Sequence, residues 1–464
     1  MSDPDGTSNQ PIAGRWSERV AYSESGGFAY RRGELFVPLG RAREAQALLS
    51  PEARPSQRQT PGREDLEGIG LSHFSDVVEE LRAIDHLRAA GIPTHPNHVL
   101  FSHCLCCCGP HPALFWGNPF TGNPFTGNPF TGNPFTGNPF TGNPFGAKDY
   151  QPNPLALPRT SPEAIEFRAT GWRPHSARPA MAPVLPEPPD DPDGPTPSVV
   201  VIDTGLAQAD LLPRALYDVT AVDVQLAIRQ QVSDEKPDAD GDKRIDPMAG
   251  HGTFIAGIIK RIAPSCGLLV QGPLSGYGDV SEHDIGTVLD ALLPHPPALL
   301  NLSFGGYAAV DMVRLGGAVR RLQDAGTVVV ASAGNDSTCR PLYPAAFPGV
   351  VSVGALGPYG PAHFTNYGPW VRACAPGVDV ISTFFTEWES PILDSERYAE
   401  WVCWSGTSFA APAVVGALAR AMRAGLSNEQ AVARLIDDPG LFRIPGLGTV
   451  VNQTPWWQST GGDV

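Results

Sequence analysis

From Ser198 onward the chain is built of short, almost unbroken apolar runs: SVVVIDTG, LVQGPL, ALLNLSFGG, GTVVVASAGND, GVVSVGALG and VDVIST. Each is stopped by a glycine, serine, aspartate or asparagine, and helical patterns lie between them. β-Branched and aliphatic runs without alternation bury both of their faces, the pattern of strands in a parallel sheet. Such strands, alternating with helices, predict an α/β domain whose mostly parallel sheet carries helices on both faces. Reacting groups in these sheets collect at the carboxyl ends of the strands, so the polar residues that stop the runs are the candidates for chemistry.

Four residues stand out. Asp203 ends VVVI, where a buried carboxylate can hold a hydrogen bond in one direction; a solvated turn aspartate is the plainer alternative. His251, in AGHGTFIAGIIKRIAP, starts a predicted helix that stops at Pro264. A helix N-terminus disfavours the protonated imidazole and suits a resting general base, although a helix-start histidine also serves purely structural ends. Asn335 ends VVVASAGND and can donate to an anion or simply tolerate a left-handed turn. Ser408, in WSGTSFAAPAVVGALARAM, heads a predicted buried helix, either as an ordinary cap or as a nucleophile near free backbone amides.

Together, in the order Asp, His, Asn, Ser and at the edge of one predicted sheet, these residues say more than any does alone. VVVIDTG, GHGTFIAG, NLSFGG, SAGN and SGTSFAAP resemble the signature blocks of the subtilisin-like serine peptidases, and FTNYGPWVRACAPGVDVIST resembles the family's stretch before the serine. The resemblance spans about residues 198–452. It implies a serine endopeptidase that works through an acyl-enzyme without a dissociable cofactor. Ser408 would be nucleophile, His251 general base and then acid, and Asp203 the orienting carboxylate. Asn335 and the Ser408 amide would form the oxyanion hole. Ser303, Phe304 and Gly305 match the edge to which substrate backbone adds as a strand, and Ala333 and Gly334 match the wall of the pocket for the residue before the cut. The depth of that pocket is left to the CRPLYPAAFPG loop.

Three stretches depart from the family pattern. Phe254 stands where many relatives carry a second histidine. Residues 384–403 resemble an insertion able to form a rim over the site. DADGDKRID sets Asp238, Asp240, Asp242 and Asp246 at the first, third, fifth and ninth positions of a calcium-type loop, but Gly241 falls at the fourth position and no glutamate follows at the twelfth. Structural calcium and a solvated acidic turn both remain open for that loop.

The front half reads as several segments. Residues 1–28 are polar and expected to be disordered. Residues 29–103 predict a small α+β domain, with RGELFV and NHVLF as strands, and AREAQALL and SDVVEELRAIDHLRAAG as helices. In the second helix Val77, Val78, Leu81, Ile84 and Leu87 share a face, with Ser75 or Asp76 as cap and Gly91 as stop. By position this domain is similar to the family's N-terminal propeptides, which implies an intramolecular inhibitor freed by a cut in the linker. Residues 104–150 hold the HCLCCCGPH cluster and six GNPF units at a five-residue step. That step matches neither strand nor helix and predicts a turn-rich spacer. His103, the clustered cysteines and His111 lack the second spaced pair of an ordinary zinc site, which favours reactive thiols. Residues 151–197 form a proline-rich linker, and 453–464 a tail.

With 50 glycines and 49 prolines, much of the 464-residue chain must be turn or linker. The net charge of −15 excludes the basic footprint of a nucleic-acid binder. No apolar run long enough for a membrane span is present, and the first residues carry no secretory pattern. A cytoplasmic setting with free thiols is therefore expected, with export by a non-classical route as the alternative. The expected partners are a peptide or protein substrate and the chain's own N-terminal domain. Two rival functions remain: a dedicated processing protease for one peptide partner, and an inactive peptide-binding scaffold tethered by the GNPF spacer.

Overall fold

The computed structural model describes residues 20–23, 28–49, 69–73, 80–102, 178–179, 194–221, 234–239, 241, 243, 245–308, 312–389 and 397–451. All belong to one compact unit formed by residues 19–109 and 173–464. The clustered cysteines, the GNPF units, most of the proline-rich stretch and the tail lie outside the described residues.

The apolar runs form the strands β5 (Ser198–Ile202), β6 (Gly267–Gln271), β8 (Leu299–Leu302), β10 (Val328–Ser332), β11 (Val351–Gly357) and β12 (Ala373–Pro376). With β15 (Gly448–Val450) they lie in the order β15–β12–β11–β10–β8–β5–β6, every neighbouring pair parallel. Alternate side chains supply two cores. Val199, Val201 and Val330 face a layer holding α3 (His251–Ile262) and α6 (Thr407–Arg423). Val200, Ile202 and Leu300 face a layer holding α4 (Glu282–Ala291) and α5 (Val313–Asp324). Each large apolar side chain buried this way contributes about 1.5–3 kcal/mol, so both helical layers are held to the sheet.

VDVIST departs from the parallel pattern. It forms β13 (Val380–Thr383), which pairs antiparallel with β14 (Trp401–Trp404) in a small separate sheet with Arg178–Pro179. The preceding strand ends at Pro376, which has no N–H to donate, and Asp379 turns the chain at φ 51°.

In the N-terminal segment RGELFV lies within β2 (Phe28–Pro38), AREAQALL is α1 (Ala42–Leu49), α2 covers Glu80–Ala89, and NHVLF lies within β4 (His95–Ser102). Ala45, Ile84 and Leu87 pack with Leu35 and Val37 in a separate small core. Gly91 follows α2 at φ 78°, the left-handed conformation that ends a helix; Ser75 and Asp76 lie outside the described residues. Two strands went unread in the sequence, β1 (Val20–Ser23) and β3 (Ile69–His73), both paired with β2. β1 falls in the stretch expected to be disordered. Val20 and Ala21 are buried and the strand closes a hairpin with Phe28–Arg31, so order begins by residue 20.

This small sheet extends into the α/β half. β4 pairs antiparallel with β7 (Asp279–Ser281), Leu100 opposite Val280, and with β9 (Phe304–Gly305), Ser102 opposite Phe304. A six-stranded sheet therefore contains strands from both halves of the chain.

Candidate active site

Asp203 directly follows β5, its amide donating to the Gln271 carbonyl at 2.9 Å, which leaves the buried carboxylate at the carboxyl edge of the sheet. Its Oδ1 lies 2.6 Å from His251 Nδ1 and accepts from the Thr204 amide (2.8 Å) and hydroxyl (3.3 Å). An ionised carboxylate only accepts, so Nδ1 is the donor in this bond and Nε2 is the nitrogen left facing away from it. Nε2 is buried without a hydrogen-bond partner.

His251 is the first residue of α3, and the glycines on either side of it explain its placement. Gly250 has φ 80°, and a Cβ there would enter the Phe384 ring. A Cβ on Gly252 would strike the Gly205 backbone, and the Gly252 amide donates to Thr204 Oγ1 at 3.0 Å. The helix start thus approaches the Asp203–Gly205 turn more closely than any side chain would allow. Behind the imidazole, Phe409 and Trp404 lie with ring centroids at 5.3 and 5.5 Å. Phe254 packs on Phe409 at 4.5 Å and completes this apolar backing. Phe384, Phe385 and Tyr398, from the segment expected to form a rim, are buried in the same core instead; residues 390–396 of that segment lie outside the described residues.

Ser408 is the second residue of α6. Pro412 sits four residues on and has no N–H, so the Ser408 carbonyl lacks its usual helical donor. The Ser303 hydroxyl donates to it instead, at 2.9 Å, while the Ser408 hydroxyl donates to the Ser303 carbonyl at 3.1 Å. Ser303 Oγ also accepts from Asn301 Nδ2 at 2.9 Å, which fixes the residue between β8 and β9.

Asn335 follows β10. Its Oδ1 accepts from the Thr407 amide (2.9 Å) and hydroxyl (2.8 Å), which turns Nδ2 away as a buried donor without a partner. Thr407, unread in the sequence, is thus the residue that orients the amide. Ala333 and Gly334 form the other side of this space, with Gly334 at φ 101° and its amide donating to Thr407 Oγ1 at 3.1 Å.

Below them lies a polar network that sequence reasoning missed. Tyr307 donates to Asp336 at 2.8 Å and accepts from Asn366 at 3.2 Å, and Asn366 Nδ2 also reaches the Ala333 carbonyl at 2.8 Å. The Arg340 guanidinium lies 4.5 Å from the Tyr307 ring centroid. Burial, and then the neighbouring Asp336 carboxylate, raise the Tyr307 hydroxyl well above its ordinary pKa, so it remains a donor. No local sequence pattern marks these residues, because they come from three separate loops.

In the acidic loop Asp238 accepts from the Gly241 and Lys243 amides (2.7 and 2.9 Å), and Asp246 accepts from the Ala239 amide (3.0 Å). Asp240 and Asp242 lie outside the described residues. Among the described residues, no group of three or more histidine, cysteine, aspartate or glutamate side chains is arranged to hold a metal.

A family model described as the subtilase family, Peptidase_S8, matches residues 194–438, a little over half of the chain. The chain belongs to the subtilase family. This subtilase is 33% identical over 238 residues to a thermophilic serine proteinase of Bacillus sp. (strain AK1), covering 46% of this chain and 55% of that protein. It is 32% identical over 210 residues to a thermostable alkaline protease of Halalkalibacterium halodurans, covering 43% and 54%. The chain thus spans little more than half the length of these two relatives. Among solved structures, a cold adapted subtilisin-like serine proteinase aligns at 23% identity with a TM-score of 0.42, covering 55% of this chain and 86% of that one. Among the described residues of this subtilase, no helix is long and apolar enough to cross a membrane.

Proposed function

We propose that this subtilase is a serine endopeptidase and that its N-terminal sheet is an intramolecular inhibitor of the same site. The observation that carries the reading is the buried Asp203–His251 pair at 2.6 Å, set beside Ser408 at a helix head and an Asn335 amide with no acceptor. Ser408 Oγ turns from the Ser303 carbonyl to His251 Nε2, gives up its proton and attacks the peptide carbonyl. Asp203 holds the imidazolium that forms. The developing oxyanion accepts from Asn335 Nδ2, which Thr407 already holds in place, and from the Ser408 amide. The tetrahedral intermediate collapses, His251 returns the proton to the departing amine, and water repeats the cycle on the ester to free the acid and the serine.

Substrate backbone binds by strand addition to Phe304–Gly305 and Asp279–Ser281. β4 already pairs with both segments, which supports its reading as an inhibitory strand. A cut in the proline-rich linker that follows would free this sheet.

Labelling with an alkyl fluorophosphonate tests the nucleophile: wild type takes the label and Ser408→Ala does not. Equal labelling of both, or no labelling of either wild type or the sheet-loosening variant His98→Leu, refutes the reading. A shortened wild-type product that is absent in Ser408→Ala tests the self-cut.

A further inference from the structure

We infer that Leu342 fills the pocket for the residue before the cut, so that the enzyme accepts only a small side chain there. This rests on the peptidase reading above. The position opposite Ser303 lies beside the nucleophile, and the space next to it is bounded by Gly305 on the substrate edge and Gly334 on the far wall. Both walls are bare of side chain, the usual condition for a deep slot. Leu342 occupies the gap between them. A Cβ on Gly305 would come 2.7 Å from Leu342 Cδ2, and one on Gly334 would come 2.9 Å from the same atom, so a single methyl group touches both walls.

That side chain is packed from several sides. Leu342 is wholly buried in a cluster with Tyr307 and, from the N-terminal sheet, Ala21, Phe28 and Tyr30. The next residue is pinned to the substrate edge, Gly306 and Tyr343 exchanging backbone hydrogen bonds at 2.8 and 3.0 Å. The Tyr307–Asp336–Asn366 network closes the space below. Two glycine walls with a leucine between them leave room for hydrogen or a methyl group, not for a ring. The plug thus selects small residues by exclusion, which discriminates more sharply than attraction within an open slot.

The test uses full-length protein and peptidyl diphenyl phosphonates that differ only in the last side chain, methyl or benzyl. An alkyl fluorophosphonate, which needs no pocket, counts reactive serine. The ratio of the two inactivation rates cancels whatever fraction of the cleft β4 occupies. Wild type should react at least about tenfold faster with the methyl probe, and Leu342→Ala should shift the ratio toward benzyl by about tenfold or more. Leu342→Val, a smaller change in case the alanine variant folds poorly, should fall between. A wild type that takes the benzyl probe as readily as the methyl, or a ratio unmoved by both variants, overturns the inference. Failure of the fluorophosphonate itself refutes the serine-nucleophile reading, and this inference with it.

Discussion

Ser303 and Ser408, 105 residues apart, hold each other through two hydrogen bonds, each hydroxyl donating to the other's carbonyl at 2.9 and 3.1 Å. The bond from Ser303 exists because Pro412 leaves the Ser408 carbonyl without a helical donor. The segment after β8 and the head of α6 are therefore tied together. Replacing Ser303 by alanine leaves a buried carbonyl unmet, a cost of about 1–3 kcal/mol. The expected result is a lower unfolding midpoint together with slower fluorophosphonate labelling; an unchanged labelling rate would show that the edge does not position the serine.

His98 of β4 lies 2.6 Å from Glu282 at the head of α4, and both side chains are buried. Glu282 also accepts from the Arg314 and Leu315 amides at 3.0 and 3.2 Å. His98→Leu keeps the volume but strips the carboxylate of its imidazole, which weakens attachment of the N-terminal sheet by about 2–5 kcal/mol. If that sheet inhibits, labelling of Ser408 should be faster in the variant than in wild type.

Asn335→Leu keeps shape and removes the amide. Loss of one oxyanion donor lowers kcat by about 10²–10³-fold while KM changes little. Steady-state cleavage of a small-residue peptide ester measures it, and a tenfold or smaller loss would argue against the side chain as an oxyanion donor.

Tyr307 supplies a pH dependence whose sign can be worked out. Its hydroxyl titrates higher in the folded chain than in the unfolded one, chiefly through burial. The folded state holds the proton more tightly, so this contribution is complete below an unfolded tyrosine pKa of about 10 and is lost as pH rises above it toward the folded value. Thermal melts of wild type and Tyr307→Phe should differ most near pH 8 and converge toward pH 11.

Much of the α/β half was legible because its signals are local. Apolar runs ended by polar residues predicted the strands; Asp203 and Ser303 follow β5 and β8 directly, and Asn335 lies three residues beyond the end of β10. α1 matches its predicted bounds, and β4 differs from its own by one or two residues. The failures share a cause. β1 and β3 are only four and five residues long and gain their order from pairing with β2. VDVIST carries a parallel-strand texture, yet a left-handed turn at Asp379 sends it to β14.

The order of elements and the residue types at the sheet edge were determined by the sequence alone, since backbone propensity and hydrophobic period act over a few neighbouring positions. Tertiary structure decided the rest. It set β4 against Phe304–Gly305, freed the Asn335 amide through Thr407, backed His251 with Phe409 and Trp404, and lodged Leu342 between Gly305 and Gly334. Each of these joins residues far apart in the chain, and only close packing in three dimensions selects among the partners that composition permits.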